Sequence, residues 1–203
     1  MPRRSMLRPS MLLSALVLVA ALACGGDATS PSTALPSTVS LTDPLGDTFG
    51  SADPQWDVTA LTVTRTPDGI IVRLDFVNDI VPPVRGDAAG LIGEVELDLD
   101  QNPATGHAAV TDAVREDHGS TGLGVDASLV FGPFFGDSSI VTDVNQLEVG
   151  RVETFFAGHR VTIKVPRAML GNDDGWVNAA VVVGHSHGAT DIAPQVGHLT
   201  VGR

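Results

Sequence analysis

Cysteine, aromatic residues and positive charge are scarce in this chain of 203 residues. It has one cysteine, no tyrosine and two tryptophans, and its 12 lysines and arginines face 24 aspartates and glutamates. A single cysteine excludes an intramolecular disulfide, so stability must come from a hydrophobic core. The net charge of −12 repels phosphate backbones, so nucleic acid is not expected as a partner.

Hydrophobic runs long enough to span a membrane are also missing. The uncharged stretch from Pro9 to Ala23 is shorter than the ~20 residues that a spanning helix needs. Arginines precede this stretch and small residues end it just before Cys24. A basic start, a short apolar segment and small residues at the cut together predict a cleaved export signal over residues 1–23.

The end of this signal, Ala21-Leu22-Ala23-Cys24, resembles the lipobox of bacterial lipoproteins. The resemblance implies that Cys24 becomes the first residue and carries acyl chains such as palmitate, which anchor the protein to a membrane. Gly25 replaces the aspartate that retains enteric lipoproteins at the inner membrane, so the resemblance favours the outer membrane of the cell envelope. Ordinary secretory cleavage is the alternative, because Ala21 and Ala23 also fit an Ala-x-Ala pattern.

The exported part divides into a linker and one domain. Residues 24–42 are small, polar and interrupted by proline, which predicts a flexible linker. Residues 43–203 consist of short alternating runs separated by Gly, Pro, Asp and Asn, which is typical of an antiparallel all-β domain. About eight such runs predict a jelly-roll-like β-sandwich.

Alternating apolar residues locate the predicted strands. The run 70–76 follows the turn Pro67-Asp68-Gly69 and is expected to form a hairpin with the strand around residues 61–63. Val177–Val183 is apolar on both faces, so we expect a central strand there. The remaining predicted strands, each with one wet face, are 94–99, 125–131 and 160–165, with a closing strand at 199–201 and a helical turn at 167–170.

Several short motifs resemble exported domains of the DOMON and family-nine carbohydrate-binding-module type. They are Asp43-Pro-Leu-Gly-Asp47, the segment 96–106, Gly124-Val-Asp126, the corner Val165–Gly171 and Ala193-Pro194-x-x-Gly197. The resemblance covers residues 43 to 201. It implies a jelly-roll-like sandwich, often stabilised by calcium, that binds sugars, haem or no known ligand.

Acidic residues recur every second position at the end of one predicted strand. Alternation places Glu94, Glu96, Asp98 and Asp100 on one side, and Asn102 continues the step into a loop. Clustered oxygen ligands suit Ca²⁺, which takes six to eight oxygens in irregular geometry. We therefore predict a calcium site at Asp98, Asp100 and Asn102, completed by Asp126 or by Asp43 and Asp47. The alternative is a solvated acidic face that ends in an Asx turn.

Two histidines and two tryptophans are the other candidates for a ligand site. His185 and His187 share a face if they lie on a strand, and such a pair can bind zinc or copper; the alternative is two exposed histidines in a turn. Trp56 is the better candidate for an exposed, ligand-stacking aromatic residue, whereas Trp176 begins a buried-looking strand and is expected in the core.

No motif for catalysis accompanies these candidates. The sequence lacks a nucleophile next to its base, a glycine-rich phosphate cradle and a zinc-protease helix. We therefore expect a non-catalytic binding module, held at the cell envelope by lipid, whose partner is a glycan or an envelope protein. Two alternatives stay open, a zinc- or copper-dependent hydrolase that uses His185 and His187, and a purely structural envelope protein.

Overall fold

The computed structural model describes residues 37–50, 55–114, 119–171 and 173–202. The predicted signal and Cys24 lie outside these residues. The described elements are the strands β1 (Thr38–Thr42), β2 (Val58–Thr66), β3 (Gly69–Phe76), β4 (Ile92–Asp98) and β5 (His107–Ala108), the helix α1 (Val110–Val114), the strands β6 (Gly124–Val125), β7 (Ala127–Phe131), β8 (Ser138–Thr142), β9 (Glu148–Ala157) and β10 (Arg160–Pro166), a 3-10 turn (Arg167–Met169), and the strands β11 (Val177–His185), β12 (Gly188–Ala193) and β13 (Leu199–Val201).

One large antiparallel sheet makes up most of the domain. Its strand order is β1-β2-β3-β10-β9-β8-β7-β4-β11-β12, with β13 paired to β11 beside this path, and β5 and β6 form a separate pair. The sheet curls, because β2 contacts both β11 and β12 from the far end of the order. The backbone amide of Val58 also donates to the carboxylate of Asp191, at 2.7 Å. The all-β, antiparallel class predicted from alternation is confirmed.

Several individual predictions are confirmed as well. The turn at Pro67-Asp68-Gly69 joins β2 to β3 in a hairpin. The central strand β11 is buried at every position and pairs with β4, β12 and β13. The expected helical turn is the 3-10 turn that follows β10.

The predicted linker ends too late in the sequence. Thr38–Thr42, at the end of the proposed 24–42 linker, forms β1 and pairs with β2. Its cross-strand contacts include a hydroxyl pair between Ser40 and Thr62 at 2.7 Å. Leu41 packs against the core, whereas most of the strand is exposed. This polar, β-branched strand therefore resembles a linker in composition.

The core lies inside the curled sheet. Alternate residues of β2, β3 and β10 are fully or almost fully buried, among them Leu61, Val72, Leu74 and Ile163. Each fully buried side chain of this kind contributes ~1.5–3 kcal/mol relative to the exposed state. Burial of these alternating residues accounts for the hydrophobic stabilisation of a domain without disulfides.

The outer face of β4 is not wet, contrary to expectation. Glu96 and Asp98 are both 0% exposed. Glu96 lies opposite Ala180 of β11, and Ala180 belongs to a second small core that β6 and its neighbouring segments complete with Ala109, Leu123 and Val125. The stretches 107–114 and 119–125 thus cover the face that alternation alone assigns to solvent.

Glu96 is the residue that holds this covering segment in place. Its carboxylate accepts hydrogen bonds from the backbone amides of Val110 and Thr111 and from the Thr111 hydroxyl. Burial raises the pKa of Glu96, and the hydrogen bonds from Thr111 and Val110 partly offset this effect. The Glu96 carboxylate therefore hydrogen-bonds to α1 rather than to solvent.

A buried ion pair fixes the loop before β11, and its loss should destabilise the domain. Arg65 donates twice from Nη2 to the carboxylate of Asp173, at 2.8 and 2.6 Å, and the two side chains are 11% and 3% exposed. We expect Arg65→Ala to lower the free energy of unfolding by about 3 kcal/mol, because it leaves Asp173 charged and buried. Chemical denaturation provides the measurement.

A matched control for this experiment is Arg151→Ala. Arg151 pairs with Glu148 at 2.8 Å, but the two side chains are 54% and 44% exposed. An exposed pair contributes little, so this variant should unfold like the wild type. Equal effects of the two substitutions would contradict the assigned role of the Arg65 pair.

Candidate cation site and adjacent cavity

Three of the predicted metal ligands converge at the end of β4. Asp98, Asp100 and Asp126 each have a carboxylate oxygen, and these oxygens lie within 4.8 Å of one another. Pairing of β4 with β7 brings Asp126 there, because its amide donates to the Leu97 carbonyl at 2.9 Å. Its Oδ2 in turn accepts from the Leu99 amide at 2.8 Å. We call these three residues the β4 carboxylate cluster.

The loop that follows β4 is built from Asx turns. Asp100 Oδ1 accepts from the Asn102 amide at 3.0 Å, and the Asn102 side-chain oxygen accepts from the Ala104 amide at 3.1 Å. The Thr105 hydroxyl also contacts both oxygens of Asp100 at 3.0 Å. The Asx turn of the alternative prediction is present, whereas its solvated acidic face is not, because Glu96 and Asp98 are buried. Asn102 shapes the loop that presents Asp100.

This loop packs closely against the start of β6. A Cβ atom at Gly124 would lie 2.1 Å from the Thr105 carbonyl oxygen and 2.5 Å from that of Asn102. Only glycine allows this approach of two backbones. Gly124 thus brings the loop that carries Asp100 next to the chain that leads into Asp126.

Asp98 is the innermost member of the cluster. It lies opposite Asn178 of β11, whose side-chain amide donates to Asp98 Oδ2 at 3.2 Å. Its other oxygen, Oδ1, is inaccessible to solvent and has no hydrogen-bond partner among the described residues. A buried carboxylate oxygen without a donor is costly. A cation bound by the cluster would remove that cost.

The electrostatic environment of Asp126 also favours a bound cation. Burial raises the pKa of Asp126, and the neighbouring charges of Asp100 and Asp98 raise it further, against the hydrogen bond from Leu99. An acid whose pKa is raised in the folded state opposes folding as pH rises above its ordinary value. Bound positive charge would offset this repulsion among the three carboxylates.

A cavity of about 270 Å³ opens beside the cluster. Asp100 and Asp126 belong to its wall, and Asp143 adds a third carboxylate. None of its lining residues, all of which the structure describes, is basic or aromatic. The rest of the wall is largely aliphatic, formed by Leu99, Ala127, Val144, Val149, Ala168, Met169, Leu170 and Gly171. Sequence reasoning missed Asp143 and Met169, because they follow other strands.

A second group of carboxylates forms elsewhere, at Asp43, Asp47 and Asp191. Their oxygens also lie within 4.8 Å of one another. The expectation that Asp43 and Asp47 complete the shell around Asp98 is therefore wrong, because they gather at β12 instead. Asp191 was not anticipated, although a lone acid within the apolar end of β12 is a recognisable signal.

Asp191 is the most deeply buried member of this second group. Its oxygens accept from the amides of Val58 and Ile192 at 2.7 and 2.8 Å. Burial raises its pKa from 3.8 to about 8, with further contributions from Asp43 and Asp47. The folded protein therefore favours the protonated carboxyl group.

The histidines predicted as a weak alternative metal site lie at the end of the hairpin between β11 and β12. The His187 amide donates to His185 Nδ1 at 3.2 Å, and the two rings meet edge to face with centroids 5.3 Å apart. His185 is 6% exposed. Among the described residues, neither cluster of three possible ligands includes a histidine.

The tryptophans exchange their expected environments. Trp176 is 47% exposed, so its assignment to the core is wrong. It lies against Gly202, where a Cβ atom would be 2.2 Å from the ring. Trp56, the proposed stacking residue, is partly buried and packs against the core. Trp176 directly precedes β11, and it was predicted to be buried because the strand that follows it is buried.

The raised pKa of Asp191 predicts a pH-dependent stability. The free energy of unfolding should fall as pH rises from about 4 to about 8, because the unfolded carboxyl group releases its proton first. A tenfold change in proton affinity is worth about 1.4 kcal/mol, so the loss amounts to several kcal/mol. In Asp191→Asn this dependence should be much smaller, and the part that remains comes from Glu96 and Asp126, whose pKa values are also raised.

Urea denaturation in a metal-chelating buffer at several pH values measures this effect. The control is Asp79→Asn, which alters an exposed carboxylate. That variant should follow the wild-type profile. If Asp191→Asn and the wild type lose stability in parallel between pH 4 and 8, the role assigned to Asp191 is refuted.

None of the described helices is long and apolar enough to cross a membrane. No family model and no curated protein sequence matches this chain.

Proposed function

We propose that this protein is a lipid-anchored protein of the bacterial cell envelope whose domain is a non-catalytic binding module stabilised by calcium. The proposed ion site is the β4 carboxylate cluster. One observation carries it: Asp98 is fully buried, its Oδ1 has no hydrogen-bond donor among the described residues, and two further carboxylates lie beside it. A cation satisfies all three groups at once.

The donor set favours calcium over the common transition metals. All the side-chain ligands in the cluster are carboxylate oxygens, which hard cations prefer, whereas zinc and copper sites use histidine or cysteine. The ligands come from a strand end, an Asx-turn loop and the residue before β7. Calcium tolerates the irregular geometry of such a mixed set better than magnesium does.

The finer architecture that fits this function is a jelly-roll-like β-sandwich. The contacts of β2 with β11 and β12 bring the two ends of the large sheet together around one core, as in a two-layered arrangement. An exported domain of this kind presents its strand-end loops to ligands. The proposed ion lies at such a strand end and would fix the 98–106 loop. The partner that the domain binds is a glycan or an envelope protein.

The proposed location depends on the N-terminal sequence. The short apolar segment after a basic start and the sequence Ala21-Leu22-Ala23-Cys24 support export and lipidation at Cys24. The acidic domain suits an aqueous, calcium-containing compartment. The outer membrane is the favoured anchor surface.

Calcium should raise the thermal stability of the domain. At a calcium concentration 100 times the dissociation constant, binding adds about 2.7 kcal/mol, which shifts the melting temperature of a domain of this size by about 5–10 °C. Calorimetry with calcium and with a chelator measures the shift. Asp98→Asn should abolish it, because the innermost ligand loses its charge.

The control is again Asp79→Asn, whose side chain is exposed and outside the cluster. This variant should retain the full calcium-dependent shift. The calcium site is disproved if the wild-type melting temperature is the same in calcium and in chelator.

The anchor is tested by Cys24→Ala. This variant should lose palmitate labelling and move from the membrane fraction to the soluble fraction, because its only acylated side chain is removed. The melting temperature of the purified domain should not change, because the core lies within residues 58–201. A Cys24→Ala protein that still sediments with membranes would exclude the lipid anchor.

A further inference from the structure

We infer that the cavity beside the β4 carboxylate cluster binds a small neutral polyol, with adjacent hydroxyl groups on the ion and an aliphatic carbon face against the wall. This inference rests on the proposed calcium site and names the ligand class of that site. The cavity and the cluster share Asp100 and Asp126, whereas Asp98 lies behind them and is not part of the cavity wall. The ion would therefore be accessible from the cavity side.

The protein alone leaves the coordination of such an ion incomplete. Calcium takes six to eight oxygens. Several oxygens of the cluster already accept hydrogen bonds, since Asp98 Oδ2 binds Asn178, Asp126 Oδ2 binds the Leu99 amide, and both oxygens of Asp100 contact Thr105. The three oxygens that the cluster brings together leave positions on such an ion that oxygens from outside the chain can fill. The cavity is where they can enter.

The charge of the site selects neutral oxygen donors. The three carboxylates of the cluster outweigh one divalent ion, and Asp143 adds another negative charge to the wall. Hydrogen bonds from the Leu147 amide and from Asn145 hold the pKa of Asp143 below its ordinary value, so it stays ionised. A carboxylate or phosphate ligand would be repelled. Hydroxyl groups supply oxygen without charge.

The rest of the cavity suits the carbon skeleton of such a ligand. Val144 and Val149 are 42% and 48% exposed, and Met169 lies beside them in the wall. Aliphatic side chains in this position favour C–H surface over a polar group. A cavity of about 270 Å³ is slightly smaller than the ~300–1,000 Å³ typical of sites for drug-sized ligands. It therefore has room for one small ring.

Europium luminescence tests the inference directly. Eu³⁺ replaces Ca²⁺ at oxygen sites, and its emission lifetime in H₂O and D₂O counts the waters bound to the ion. Addition of methyl α-mannopyranoside should lower that count in the full-length protein, because adjacent hydroxyl groups displace water. Tetrahydropyran, the same ring without hydroxyls, and glucuronate, an anion, should leave it unchanged. The same titration with mannan, a polysaccharide, shows whether the site takes a polysaccharide as well as the free sugar.

Two tryptophan variants separate the cavity from the ion. Ala168→Trp fills the cavity from the exposed 3-10 turn without removing a carboxylate, and Ala89→Trp is a matched control at an exposed loop position outside it. Both should bind Eu³⁺ and melt like the wild type. Only Ala168→Trp should lose the response to the mannoside, by at least tenfold in apparent affinity.

The outcomes distinguish the two proposals. Failure of Eu³⁺ and Ca²⁺ to bind overturns the proposed calcium site and this inference together. Binding of the ion with a water count unaffected by the mannoside or by mannan overturns this inference alone. An equal response in Ala168→Trp and Ala89→Trp places the sugar outside the cavity and also overturns it.

Discussion

Pairing between β4 and β11 buries two carboxylates, and the surrounding structure depends on how each of them is satisfied. Glu96 lies opposite Ala180 and Asp98 lies opposite Asn178, on the face that residues 107–114 and 119–125 cover. Burial of a charge is tolerated only where hydrogen bonds or an opposite charge compensate it. The two residues, one step apart on the same face, meet this demand in different ways.

Glu96 is satisfied by the chain itself. Three donors from α1 converge on its carboxylate, so the buried acid and the covering segment stabilise each other. Among the described residues, Asp98 accepts one hydrogen bond, from the Asn178 side-chain amide, and carboxylate oxygens of Asp100 and Asp126 lie within 4.8 Å of its own. The same strand thus has a structural carboxylate at one position and, two residues later, the innermost residue of the proposed ion site. The difference between Glu96 and Asp98 follows from the number of hydrogen-bond donors near each carboxylate rather than from the residue type.

The alternating pattern predicted the class of fold and the convergence of Asp98, Asp100 and Asp126, because both follow from side-chain direction and strand ends. It did not predict the cover over the outer face of β4, since the described parts of this cover, 107–114 and 119–125, have two-residue strands and one short helix that leave little periodic signal. Strand β1 was missed because most of it is exposed and polar, so that only Leu41 packs against the core while its hydroxyls pair across to β2. The position of Asp191 depends on the curl of the sheet, which is a long-range property.

The curl of the sheet also affects how copies of the protein meet. Phe49, which follows β1 in the chain, lies along β12, where its amide donates to the Thr190 carbonyl at 2.8 Å, and β1 lies near β13. The Thr190 carbonyl, at the β12 end of the strand order, is thereby engaged within the molecule. Unpaired strand edges are the usual starting points for association between sheets. A strand from another copy would therefore find the Thr190 carbonyl already occupied.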